Sequence, residues 1–167
     1  FEIGGENYCQ IFNTWDLFRG QESDPWVSRV DQPALPDEYL GQVREQYQLN
    51  RTKFKSEEDY SGPRTFKAAG EWLDENHDED DFLLWVEAFD PHEPFDTPDR
   101  YLEIYEDEYD GPLYEWSGYE EVREEDITTE HLRNKYSALI TMTDKWFGKL
   151  LDKIEKFERQ PDTRDYV

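Results

Sequence analysis

The chain has 167 residues, the size of one ordinary domain, and sets 42 acidic against 18 basic side chains for a formal net charge of −24. Nucleic acid and anionic membranes both need cationic surface, so the charge excludes them as partners, and no apolar stretch approaches the about 20 residues of a membrane span. Aromatics make up 16% of the chain, which separates it from a disordered polyanion.

Residues 1–62 form a loop-rich aromatic segment. Gly4-Gly5, Tyr8, Phe12, Trp15 and Phe18 lead into Arg19-Gly20-Gln21-Glu22 and Asp24-Pro25-Trp26, with one short strand or turn near Ile11–Phe18. Aromatic anchoring explains most of this stretch; Arg19, beside Gln21 and Glu22, is the candidate ligand contact. Cys9 is the sole cysteine, which rules out an internal disulfide and a cysteine-rich metal site. After Pro33 and Pro36, Tyr39, Val43 and Tyr47 recur every four residues and predict a short surface helix over 38–49. Asn50-Arg51-Thr52 matches a glycan acceptor, a pattern too common to carry weight.

Residues 63–95 predict a helix, a strand and a loop. Pro63 suits a first helical position, and Phe66, Ala69, Gly70 and Leu73 fall on one stripe. Asn76-His77 and the acidic 78–81 close the helix, with His77 a solvated turn residue. Phe82-Leu83-Leu84-Trp85-Val86, resumed by Ala88-Phe89, reads as a strand buried on both faces and stopped by Pro91 and Pro94. Helix, acidic turn and buried strand predict an α/β fold with a parallel or mixed sheet. His92 then lies at the carboxyl end of a strand, where open α/β sheets collect ligands. Held between two prolines, its imidazole can meet an anion or a departing oxygen with a proton; the competing reading is a rigid turn that His92 merely decorates.

Residues 96–127 are acidic and rich in tyrosine, from Tyr101 to Tyr119. Glu103, Glu106, Asp107, Glu108 and Asp110 lack the order of an EF-hand loop, so a solvated acidic face is expected and no metal ligand is assigned. Residues 128–158 carry the strongest periodicity. Leu132, Tyr136, Leu139, Thr143, Trp146 or Phe147, Leu150, Ile154 and Phe157 predict one long helix capped by Thr128 or Thr129, with His131 exposed in its first turn, and Pro161 ends the pattern. Phe1 is not an initiator methionine and Met142 is the sole Met, so the expectation is an internal piece of something longer, with targeting and localisation open.

Two stretches resemble the sulfatase family of the alkaline-phosphatase-like superfamily. One is Phe82 through Phe95, FLLWVEAFDPHEPF, with Pro98 and Tyr101, Tyr105 and Tyr109 after it. The other is Tyr136-Ser-Ala-Leu-Ile-Thr-Met-Thr-Asp144 through Gly148 to Leu151, and Arg19-Gly20-Gln21-Glu22 with Asp24-Pro25-Trp26 is similar to the segment that precedes them in some members. The resemblance implies a hydrolase of small-molecule or carbohydrate sulfate esters that uses a formylglycine nucleophile and Ca²⁺. It carries over one role, sulfate contact or leaving-group protonation, onto His92. The family nucleophile motif is Cys or Ser followed by x-Pro-x-Arg; Cys9-Gln10-Ile11-Phe12 departs from it, and Ser61-Gly62-Pro63-Arg64 has its arginine one place early. The paired metal carboxylates are also missing, which places nucleophile and calcium ligands outside this chain and predicts that it is inactive alone. The variants kept beside this reading are a phosphodiester or phosphonate ester hydrolase of the same superfamily, and a non-catalytic acidic module that binds through Tyr101–Tyr119. Oligomeric state is not legible.

Overall fold

In the computed structural model, which describes residues 9–31 and 34–158, four helices carry the fold: α1 (Glu45–Arg51), α2 (Ser61–Asn76), α3 (Asp99–Leu102) and α4 (Asp126–Glu158). Two short 3-10 turns, Glu57–Asp59 and Glu103–Tyr105, precede α2 and follow α3. Gly4-Gly5, Tyr8, Pro33 and Pro161 lie outside the described residues.

The core is the seam between α2 and α4. All four predicted stripe positions are buried: Phe66, Ala69 and Leu73 join Ala138, Leu139, Met142, Trp146 and Leu150 of α4 and Tyr101 of α3 in one cluster, and Gly70 lies under Lys153. The Phe, Leu and Met side chains among them contribute about 1.5–3 kcal/mol each on burial, enough to make this seam the main source of stability. Lys153 ties the far end by donating to the Gly70 carbonyl at 2.9 Å and pairing with Asp74.

The expected α/β architecture is not what the chain adopts. The structure is helical, and the sole β feature among the described residues is one isolated parallel bridge, Tyr39 to Leu113. Phe82–Phe89 has no ladder. A strand exists only through its neighbours' hydrogen bonds, and none of the described segments lies alongside as a partner. The run does keep the two-residue alternation of an extended chain. Leu84, Val86 and Ala88 pack on the helical core, whereas Leu83 is 75% and Trp85 63% exposed. Burial on both faces is therefore also corrected, to burial on one.

Three local readings change with it. The helix expected over 38–49 begins only at Glu45, because Gly41 has φ +65° and packs so closely on the Trp116 carbonyl that a Cβ there would sit 2.0 Å from its oxygen. Residues 39–42 instead run beside 113–116, with Leu40 N–H donating to Leu113 O and Gln42 N–H to Trp116 O, both at 2.8 Å. His77 is half-buried at the end of α2, stacked on Phe157 with ring centres 3.9 Å apart. His131 is buried rather than exposed: its Nδ1–H donates to Asp107 Oδ1 at 2.8 Å and its ring stacks on Tyr109. Burial pushes this imidazole below its usual value, with Asp107 pulling partly the other way. That contact draws the acidic segment onto α4, a role that periodicity could not assign to a polar first-turn residue.

Candidate functional site

The loop that carries His92 is strung between two carboxylates, and each is fixed to a different helix. At its start, Asp90 reaches the first turn of α2, where the Gly62 N–H donates to its carboxylate. Those first amides have no partner inside the helix, so a carboxylate from elsewhere satisfies one of them. Burial pushes the Asp90 carboxyl up to about 6, against the Gly62 hydrogen bond and with help from the charge on Asp96. At the loop's end, Asp96 is 3% exposed and accepts from Arg51 Nη2 of α1 at 2.8 Å and from the Tyr47 hydroxyl at 3.0 Å. Arg51 also spans to the buried Glu115 at 3.2 Å, and Phe95 N–H donates to Glu115 O at 2.8 Å. A guanidinium fork between two desolvated carboxylates is the geometry in which a buried ion pair holds its place.

Between these anchors lie cis Asp90-Pro91, His92 and cis Glu93-Pro94. The His92 side chain is 40% exposed. Its Nδ1 faces three acceptors: Glu22 Oε1 at 3.1 Å, Glu93 Oε2 at 3.2 Å and the Glu93 carbonyl at 3.0 Å. A ring nitrogen among three acceptors carries the proton, and Nε2 is left as the nitrogen available to a ligand. The ring is held by Phe89, with centres 4.6 Å apart, and stands edge-on to Trp116 at 6.2 Å. Phe89, Trp116 and Glu22 in turn line a cavity of about 320 Å³ together with Gln21, Ser23, Asp24 and Arg44. Arg44 lies over the Trp116 ring at 4.9 Å, a cation–π contact that sets its charge at the cavity wall.

Glu22 thus comes to His92 from far back in the chain, whereas Arg19 is joined to Asp24, two residues beyond Glu22. The Arg19 guanidinium is bound to the Asp24 carboxylate, whose second oxygen accepts the Gly20 N–H at 2.8 Å. A second, more apolar cavity of about 290 Å³ lies behind Gln21 and Phe89, between α2 and the 82–89 run. Cys9 borders it as a free, partly buried thiol. Ser61 also borders it; the residue is buried, and its hydroxyl donates to Gln21 Oε1 at 3.1 Å.

The sequence model of the sulfatase family matches residues 18–164, a span that takes in Arg19, Glu22 and the whole His92 loop. The chain belongs to the sulfatase family. No curated protein and no solved structure gives a match.

Sulfatases generally use Ca²⁺ and a formylglycine nucleophile. Among the described residues no three His, Cys, Asp or Glu side chains converge to hold a metal ion. The acidic groups of the His92 loop and of the turn that faces it are otherwise engaged: Glu22 and Glu93 with His92, Asp24 with Arg19, Asp96 with Arg51. The described residues do not fit the calcium of the sulfatase family. Among the same residues no helix is long and apolar enough to cross a membrane.

Reading the sequence singled out His92 and Arg19 but missed what holds them. Asp90 and Asp96 were visible only as loop acids, and Arg51, Trp116 and Arg44 carried no signal. Each acts through a contact with a segment distant in sequence, and spacing cannot report that.

Proposed function

We propose that this chain is an internal segment of the catalytic domain of a sulfuric ester hydrolase, and that it supplies the wall on which the departing oxygen is met. The reading rests on one observation above others: His92 turns Nδ1 onto two carboxylates, which leaves Nε2 as the nitrogen for a ligand, and the residues that hold the ring, Glu22, Phe89 and Trp116, line a cavity of about 320 Å³. An S–O bond breaks more readily when the oxygen that leaves receives a proton as it departs, and an imidazolium donates from Nε2 while its Nδ1–H stays bound. Arg19 and Arg44 are the cations of the neighbouring segments, and Arg19 is the second candidate contact for the sulfate group. Catalysis needs a nucleophile as well. Cys9 lacks the Pro and Arg that would follow it in the family motif, and Ser61 donates its hydroxyl inward to Gln21. The proposal therefore assigns nucleophile and calcium ligands to other parts of the domain, and holds that these 167 residues do not turn over substrate alone.

The test is kinetic. In the intact enzyme, His92→Ala lowers kcat for an aryl sulfate by on the order of 100-fold, the usual size of a general-acid effect, with a smaller loss for substrates whose leaving group is already acidic. An unchanged kcat removes His92 from the mechanism. Preference for a phosphodiester or a phosphonate ester over the sulfate would move the enzyme to that variant of the superfamily.

A further inference from the structure

We propose that Glu22 is a positioning residue for His92: it fixes the imidazole in the Nδ1–H form and so keeps Nε2 as the nitrogen that meets a ligand. The inference rests on the reading of His92 just given and adds to it the one of the three Nδ1 acceptors that comes from outside the loop.

The turn that offers Glu22 is held on both sides of it. Asp24 N–H donates to Gln21 O at 3.0 Å, closing the turn, and Glu22 within it has φ +46°, a left-handed conformation that a residue with a side chain rarely takes. Before it, Gln21 is buried, and its Oε1 accepts from the Ser61 hydroxyl at the start of α2. After it, Asp24 is gripped three ways: by Arg19, by the Gly20 N–H, and through its carbonyl by Asn50 Nδ2 at 2.9 Å. Asn50 is itself fully buried at the end of α1. With Gln21 turned inward and Asp24 tied down, the turn presents the Glu22 side chain to His92, and Oε1 lies 3.1 Å from Nδ1.

Glu93 also faces Nδ1, but as the next residue in the chain it moves with the loop. Glu22 comes from a separate segment and refers the ring to α1 and α2. A carboxylate on Nδ1 supports the imidazolium before the proton leaves and the Nδ1–H tautomer after it, so one contact serves both states.

The experiment uses ¹⁵N-labelled chain and long-range ¹H–¹⁵N correlation of its imidazoles, at a pH where they are neutral. There are three histidines, so His77 and His131 act as internal controls of folding. His92 is expected as the Nδ1–H tautomer. Glu22→Ala lowers that population at least twofold while His77 and His131 stay in place, and Glu22→Gln, which keeps an acceptor oxygen, restores it. An unchanged His92 tautomer in Glu22→Ala overturns the proposal. If Glu22→Ala shifts the His77 and His131 signals as well, the decision passes to Glu22→Asp, whose shorter side chain must disturb the His92 tautomer alone; otherwise the proposal fails. A tautomer that responds to Glu22, in an enzyme indifferent to His92→Ala, would keep the positioning contact and sink the catalytic reading instead.

Discussion

The Asp90 carboxylate rests directly on Gly62, so closely that a Cβ at position 62 would lie 2.2 Å from Asp90 Oδ2. The approach lets the Gly62 amide in the first turn of α2 bond the acid that begins the His92 loop. Gly62→Ala gains up to about 1 kcal/mol of helix propensity but forces the carboxylate off, and overpacking of this kind costs about 1–3 kcal/mol. The net expectation is a loss of up to about 2 kcal/mol by urea denaturation, together with changed His92 resonances. A variant as stable as the parent, with His92 undisturbed, would show that Asp90 has room to move.

Asp90 also gives the chain a pH dependence. Burial raises its carboxyl from 3.8 to about 6, so the folded state holds the proton more tightly than the unfolded state does. The sign follows: stability from this group is complete below about pH 4, falls as pH rises through 6, and is gone above that. The span corresponds to on the order of 3 kcal/mol. Asp90→Asn still offers an oxygen to Gly62 N–H and carries no charge. It is expected to melt higher than the parent at pH 7.5 and to lose that advantage by pH 4. Equal melting temperatures at both pH values would mean that the carboxyl is better solvated than its position implies.

These two residues show how far the sequence could be read. The α2 stripe and the long α4 helix were legible because a 3.6-residue period reports which face is buried whatever lies opposite. The 82–89 run was legible as apolar and extended, but not as a strand, because pairing depends on chains that periodicity does not see. His92 stood out between two prolines. Gly62 was one glycine among nine and Asp90 one acid among 42, with nothing local to join them.

Arg51 is the second point on which the loop depends. Its guanidinium spans Asp96 and Glu115, whose side chains are each 2% exposed. Arg51→Ala strands both acids; Tyr47 remains for Asp96, and Lys135, 3.9 Å away, for Glu115. Losing one partner of a buried pair costs about 3–5 kcal/mol, a large part of the 5–15 kcal/mol that holds a typical domain. Arg51→Lys keeps the charge without the fork and is expected to lose less. Circular dichroism against urea measures both. A loss under about 1 kcal/mol in Arg51→Ala would show that the carboxylates take up protons or water at little cost.

The net charge of −24 sets the response to salt. Two effects oppose each other. Salt weakens exposed ion pairs such as Lys67–Glu58 and Arg133–Glu130, each worth at most about 1 kcal/mol. It also screens the repulsion among 42 acids, which acts over the Debye length of about 30 Å at 0.01 M but only about 8 Å at 0.15 M. A few weak local attractions are set against repulsion across the whole surface, so the second effect dominates and the compact state gains. The melting temperature is therefore expected to rise between 10 mM and 150 mM NaCl, and further in 1 M. The gain should be as large in KCl as in NaCl, because screening does not distinguish the cations. A flat or falling melting curve would mean that the exposed pairs carry more of the stability than their geometry suggests.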